Sequence, residues 1–249
     1  MMIDRLFQRY SHNHVHFYGN DTSLLLERGL ALTGKILGTQ RIVDLGCGDG
    51  RLIFALNKKG LLGNFDQIIG VDVSESRVRR MTKELPFVKG LVSDALSVKE
   101  LSSSSFDFVI CSQLIEHVED DRKLLQEIAR LLRKNGLAYI SSVIKRAYAI
   151  YFYFMNGSFR LDPTHSREYT SVVEFLDLLE SEGFDVIGLE THQIMFPLVD
   201  LFVRLFVKIG FLDPNVKFYL QHRVLNEIRE LRIPVVGYKN IEVLARKIE

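Results

Sequence analysis

The densest concentration of residues that could do chemistry is Asp44-Leu45-Gly46-Cys47-Gly48-Asp49-Gly50. Alternating glycines let a backbone turn tightly and let a ligand approach without meeting a Cβ. Where a strand-like run gives way to a helix-like one, such a turn also aims N–H groups at whatever binds there. Asp72 ends the next apolar run, where an acid accepts hydrogen bonds from both hydroxyls of a ribose. A lone aspartate at a strand end also serves as a helix cap, but Ser74 is available for that task. Asp94 ends a third run and is followed by small Ala95. The pair suits an adenine edge, the carboxylate accepting from the exocyclic amine and the Ala95 N–H donating to a ring nitrogen. Standing alone, Asp94 would read as a solvated loop acid.

These acids need strand tips to stand on. Arg41–Leu45, Gln67–Asp72, Val88–Val92, Phe106–Ile110 and Leu137–Val143 are short apolar runs separated by amphipathic stretches. That is the pattern of βα units around a parallel sheet. Spacing predicts helices over Arg51–Lys59 and from Ser74 to about Leu85. A further helix puts Leu124, Leu125, Ile128, Leu131 and Leu132 on one face, with acids at its start, bases at its end and Asn135-Gly136 closing it. Glu168–Glu182 reads as another helix, Phe184–Gln193 as a sixth strand and Ile241–Ile248 as a seventh. Between those strands a block with helical spacing reads as an inserted cap. The domain reading is residues 1–40 as an N-terminal lid or helical segment, 41–193 with 237–249 as the core, and 194–236 as the cap.

Together these positions resemble the class I S-adenosylmethionine-dependent methyltransferases, in their type 11-like small-molecule branch. The resemblance covers about Arg41–Val143 and, more loosely, Glu168–Gln193. Val43–Gly50 is similar to the family's first motif, Gly70-Val71-Asp72-Val73-Ser74 to the second, Ser93-Asp94-Ala95 to the third and Phe106–Val118 to the fourth. It implies an α/β three-layer sandwich around a seven-stranded, mostly parallel sheet with a reversed C-terminal hairpin. It implies S-adenosyl-L-methionine as cofactor, bound by Asp44, Gly46, Cys47, Gly48, Gly50, Asp72, Val73, Asp94, Ala95, Cys111, Ser112 and Gln113. Within that set Gly46 and Gly48 would meet the methionine part, Asp44 would orient its amino group, and Cys111, Ser112 and Gln113 would line the methyl side. Glu116 and His117 are common in this branch, with His117 more a wall than a base. Electrostatics favour a sulfonium over a dinucleotide, because a pyrophosphate is ill placed between Asp44 and Asp49.

The acceptor side is written less clearly. The fourth motif lacks an Asn/Asp-Pro-Pro-aromatic signature and reads Cys111-Ser112-Gln113-Leu114, pointing away from nucleobase and side-chain amide acceptors. Asp162-Pro163-Thr164-His165 is similar to a segment of several small-molecule members. His165 is the candidate general base; the alternative is a loop histidine that fixes the turn through Asp162 or Glu168. Tyr153 and Tyr169 join His165 as candidate acceptor contacts. Transfer onto an electrophilic methyl is served by positioning and water exclusion, so a base is optional. His12, His14 and His16 alternate near Tyr10 and Tyr18. A lid explains them better than a metal, and no metal site is expected.

Composition bounds the rest. Charges nearly cancel, at +1, which argues against a nucleic-acid substrate. Two distant cysteines, Cys47 and Cys111, form no disulfide framework. Pro197, Asp200, Arg204 and Lys208 interrupt the most apolar stretch, Ile194–Leu212, so it is not a spanning helix. Its greasy residues pack the cap, line a lipid-like acceptor's tunnel, or meet a membrane with Arg204, Lys208 and Lys217 at the headgroups. The expectation is a cytoplasmic or membrane-peripheral methyltransferase for a small, lipid-like or apolar acceptor. The competing readings are a non-catalytic cofactor-binding partner protein, a protein or RNA methyltransferase, and an NAD-dependent oxidoreductase.

Overall fold

The computed structural model describes residues 15–33, 40–151, 153–155, 157–212 and 215–248. Helix α1 (Leu24–Thr33) precedes β1 (Arg41–Leu45), α2 (Arg51–Lys58), β2 (Gln67–Asp72), α3 (Glu75–Glu84), β3 (Lys89–Val92) and β4 (Phe106–Ser112). Then come α4 (Asp121–Leu131), β5 (Leu132–Lys145), a small hairpin of β6 (Tyr153–Met155) and β7 (Ser158–Arg160), and α5 (Val172–Ser181). Strand β8 (Phe184–Pro197), short helices α6 (Leu198–Lys208), α7 (Phe218–Gln221) and α8 (Arg223–Ile228), and β9 (Arg232–Lys247) complete the order.

Seven strands form one sheet in the order β3-β2-β1-β4-β5-β9-β8. Strands β1 to β5 pair in parallel, and β9 runs antiparallel to both β5 and β8. The expected reversed hairpin is therefore present. Alternation along the strands builds two cores. Val43, Val109 and Cys111 face one layer with Leu124, Ile128 and Phe175. Ile42, Phe108 and Ile110 face the other with Ile53, Met81 and Leu26. Helices α4 and α5 thus cover one face and α1, α2 and α3 the other. Helix α1, placed within the expected lid, is part of the core; Gly29 lets it approach so closely that a Cβ would come within 2.6 Å of Leu244.

Several boundaries differ from expectation. Helix α5 begins at Val172, capped by Ser171, so Glu168 lies in the loop before it. Helix α4 stops at Leu131, and Leu132 already pairs with Phe106 before an irregularity at Asn135-Gly136. The aromatic-rich run Tyr148–Phe154 after β5 leads into the β6–β7 hairpin, a local pairing that its apolar content alone does not reveal. Strands β8 and β9 continue past Gln193 and before Ile241, pairing Met195 with Pro234 and Phe196 with Ile233. The helical cap is correspondingly shorter, Leu198–Ile228. It is locked from inside by Asp200, which accepts hydrogen bonds from Tyr219 Oη (2.7 Å) and Arg229 Nε (3.0 Å). No helix among the described residues is long and apolar enough to cross a membrane.

Candidate active site

The glycine turn joins β1 to α2 with Gly46, Gly48 and Gly50 all in the left-handed region, φ 71°, 53° and 79°. A Cβ at Gly46 would sit 2.9 Å from Leu114, and one at Gly48 3.0 Å from His16 Nδ1. The N–H groups of this turn are already used. Gly46 N and Cys47 N donate to Val71 O, Gly50 N to Cys47 O, and Gly48 N to Asp72 Oδ2 at 2.9 Å. The expected row of free N–H donors is absent at these four positions, so the turn offers a close backbone surface and no phosphate cradle there.

The acids fill that gap. Asp72 also accepts from Ser74 N at 2.8 Å, so one carboxylate ties the turn to the start of α3. Ser74 stands at the cap position of α3 without a side-chain capping bond. Asp44 is buried; that burial, with Asp72 beside it, pushes its carboxyl up to about 8. Burial likewise raises Asp72. Two buried acids that resist ionising together make a place where a cation is welcome. Asp49 is fully buried and occupied elsewhere: it accepts from His16 N at 2.8 Å and Arg80 Nε at 2.7 Å.

At the tip of β4, Ser112 Oγ lies 3.1 Å from Ser141 Oγ on β5. Gln113 holds a left-handed φ of 53° and donates from Nε2 to Asn240 Oδ1 at 2.8 Å. Beyond it, His165 Nδ1 lies 2.9 Å from Glu168 Oε1, and the His165 ring packs edge-on against His117 with centroids 4.7 Å apart. Burial works to raise Glu168, but hydrogen bonds from His165 and Leu161 N outweigh it and leave its carboxyl below the usual range. An ionised Glu168 places the imidazole proton on Nδ1. Glu116 is fully buried; Oε2 accepts from Ser142 while Oε1 has no hydrogen-bond partner. Burial pushes Glu116 up to about 7 and His117 down to about 4. Glu116, His117 and His165 bring ligand-type atoms within 4.8 Å of one another, a set that could accept a metal ion where the sequence analysis expects none.

Residues 43–140 match a family model described as a methyltransferase domain. A ubiquinone biosynthesis O-methyltransferase of Coxiella burnetii (strain Dugway 5J108-111) is 26% identical over 181 residues, covering 68% of this chain and 73% of that protein. Two solved structures share the fold. A putative methyltransferase from Bacillus halodurans C-125 aligns with a TM-score of 0.60 at 17% identity, covering 90% of this chain and 99% of that one. A putative sarcosine dimethylglycine methyltransferase from Galdieria sulphuraria aligns at 0.60 and 17%, covering 100% of both chains. The chain carries a class I S-adenosylmethionine-dependent methyltransferase domain.

The site suits the cofactor of such a methyltransferase. Asp44 and Asp72 are both buried beside the glycine turn, where the sequence resemblance expects the cofactor's ammonium and ribose. Ala95 is buried behind an exposed Asp94 whose Oδ1 accepts from Leu96 N at 2.9 Å, so Asp94 shapes its own turn. Val73 is exposed beside Asp72.

Several expected side-chain contacts need correction. The Cys111 side chain lies in the core beneath α4 and α5, which leaves only its backbone at the tip of β4. Cys47 is buried in the opposite core and offers only backbone. Tyr169 is a core residue: its hydroxyl donates to Asp121 Oδ2 at 3.1 Å and its ring packs on Phe175. Tyr153 is exposed on the β6–β7 hairpin, open to an acceptor. His165 is 6% exposed and enclosed by Glu168, His117 and Glu116, a setting that suits a positioning residue better than the expected base. Of the lid, Tyr18 is fixed: it stacks on Phe54 at 4.4 Å and donates to Asp49 O. Tyr10, His12 and His14 lie outside the described residues. The His165–Glu168 bond is the turn-fixing alternative that the sequence offered; its meeting with Glu116 and His117, some fifty residues away, and the Lys145-Arg146 pair at the end of β5 were not legible there.

Proposed function

We propose that this methyltransferase passes its methyl group to a small, apolar acceptor lying over the tips of β4 and β5. The observation that carries the cofactor half of the reading is the pairing of a positive-φ glycine turn with buried Asp44 and Asp72. The acceptor half rests on Ser112 and Gln113 at the β4 tip and on exposed Tyr153 on the β6–β7 hairpin. His165 and Glu168 hold the 161–170 loop in place over it. Transfer needs in-line placement and dryness more than a base. The ubiquinone O-methyltransferase relative favours an oxygen nucleophile.

The same reading places the enzyme at a lipid surface. In α6, Val199, Asp200 and Val203 face inward, while Leu198, Leu201, Phe202, Leu205, Phe206 and Ile209 form an exposed stripe at helical spacing. Phe211 extends it, 76% exposed. Each such side chain moved fully out of water contributes about 1.5–3 kcal/mol, so a few suffice for peripheral attachment. Lys217 does not serve as a headgroup contact, since its ammonium pairs with Glu84 at 2.5 Å.

Incubation with isotopically labelled S-adenosylmethionine and a lipid and metabolite extract, followed by mass spectrometry, tests the reading. A labelled small apolar product is expected. Label appearing only in protein or RNA would overturn it. Flotation with anionic liposomes tests the surface: wild type should float, and loss of flotation with Phe202→Ser and Leu205→Ser should follow.

A further inference from the structure

Beside the site just described, the turn after β5 forms a cavity of about 640 Å³. Lys145, Arg146, Tyr148, Ser158, Arg160 and Glu168 line it. Three cations therefore face one carboxylate, in a chain whose net charge is only +1. That carboxylate is already committed: Glu168 accepts from His165 Nδ1 and from Leu161 N, and lies 3.4 Å from Lys145 Nζ. The Lys145 ammonium also donates to Ser158 Oγ and Phe159 O. Its three donors are thus in use, and it contributes charge more than contacts. Arg160 donates from Nη1 to His165 O. Arg146 is exposed, and no hydrogen bond or ion pair of its guanidinium with a described residue is seen.

The backbone that presents Arg146 is held firmly. Arg146 N donates to Gly237 O at 2.8 Å and Ala149 N to Arg146 O at 2.9 Å. Gly237 has φ 76°, and a Cβ there would fall 2.4 Å from Ala149 Cα. Only glycine lets the 146–149 turn lie so close on β9. A guanidinium on a fixed turn, with its planar fork unspent, matches a carboxylate or a phosphate monoester.

The geometry points to this cavity as the subsite for an anionic group of the acceptor, a carboxylate or phosphate gripped by Arg146 and Arg160 in the field of Lys145. The assignment rests on the methyl-transfer reading above for the identity of the ligand, though not for the anion chemistry. It also restricts the acceptor's shape. Ser141, level with Gln113 at the methyl side, is four residues from Lys145, or about 13 Å along a strand. The acceptor is thus extended, apolar along its body, anionic at one end and methylated near the other.

Calorimetric titration of the full chain, saturated with S-adenosylhomocysteine, tests this with inorganic phosphate, benzoate and neutral benzyl alcohol as probes. The anions should bind, more weakly as salt rises, and benzyl alcohol should bind about tenfold or more weakly than benzoate. The phosphate and benzoate arms tell which anion the subsite prefers. Arg146→Ala should weaken anion binding about tenfold and Arg146→Glu should abolish it, with S-adenosylhomocysteine affinity unchanged. Equal binding of benzyl alcohol, no anion binding, or an Arg146→Glu protein that binds anions normally would overturn the subsite. Absent S-adenosylhomocysteine binding with intact anion binding would instead overturn the cofactor reading and leave the subsite standing.

Discussion

The two halves of this molecule are built by different rules. From β1 to β4, the cofactor side, each functional group sits at a strand tip and is fixed by its own neighbours: Gly48 N on Asp72, Gly46 N on Val71 O, Asp72 on Ser74 N. From β5 to β9, the acceptor side, the groups come from distant parts of the chain. His165 meets His117 and Glu116, Gln113 meets Asn240, and Phe17 packs under the cap with Val199, Val203 and Tyr219. The first half is buried and charged; the second is partly exposed, apolar on α6 and cationic beside β5. The difference teaches where specificity resides. On the proposed reading, the first half seats the cofactor and the second selects the acceptor.

Breaking one half should leave the other intact. The largest effect is expected from Gly46→Val, which forces a β-branched residue into φ 71° and a Cβ to 2.9 Å from Leu114. The left-handed backbone alone costs about 1–2 kcal/mol. S-adenosylhomocysteine binding should vanish in calorimetry and the melting temperature should fall by several degrees. Asp200→Ala strips the buried partner of Arg229 and Tyr219, a loss of about 3 kcal/mol. Protease cleavage should then concentrate within 198–231, with cofactor affinity within about twofold of wild type, a difference near the resolution of 0.4 kcal/mol by the usual logarithmic relation. Retained protection would show that the cap does not depend on this lock.

A pH series sharpens the contrast. The Asp44 carboxyl titrates at about 8 in the folded protein, raised by burial first and by Asp72 second. A raised carboxyl contributes stability that is complete below its unfolded value near 4 and is lost as pH rises through about 8. Cofactor-free protein should therefore lose stability from that source across this window. Because the bound ammonium favours ionised Asp44, the stabilisation by S-adenosylhomocysteine should grow across it, as read by thermal melts. Asp44→Asn should flatten both trends. On the other side, the depressed His117, about 4, contributes stability that is present above its unfolded value and lost as pH falls through about 4. His117→Gln should lessen the acid limb of the melting curve. The smallest effect belongs to the exposed stripe: Leu205→Ser should change stability by no more than about 0.5 kcal/mol while reducing liposome flotation.

The same division explains what could be read in advance. The order of β1 to β5 and the glycine turn follow local patterns, alternation, caps and turn residues, which a linear sequence carries directly. So do Asp44 and Asp72, because one lies next to the end of its strand and the other ends its own. The direction of Cys111 is set by which face of β4 it occupies, and a run of apolar residues, Phe106–Ile110, hid that alternation. The state of the turn's N–H groups depends on Val71 and Asp72, twenty-odd residues onward, so free donors were expected where bonded ones stand. The extension of β8 and β9 depends on Met195 and Phe196 finding Pro234 and Ile233 across the hairpin. Helical spacing of the intervening residues masked it. The Lys145-Arg146 pair carried no signal until the β6–β7 hairpin folded back over it.

Calorimetric titration of S-adenosylhomocysteine into wild type and Asp72→Asn most directly tests the central claim, that the adenosyl cofactor sits on the glycine turn between buried Asp44 and Asp72. Asparagine keeps a carbonyl for Gly48 N or Ser74 N, so the fold should persist in circular dichroism. The account predicts one tight site in wild type and a loss of about tenfold or more, about 1.4 kcal/mol, in the variant. Equal affinity in both proteins, or no binding to the wild type, would contradict it.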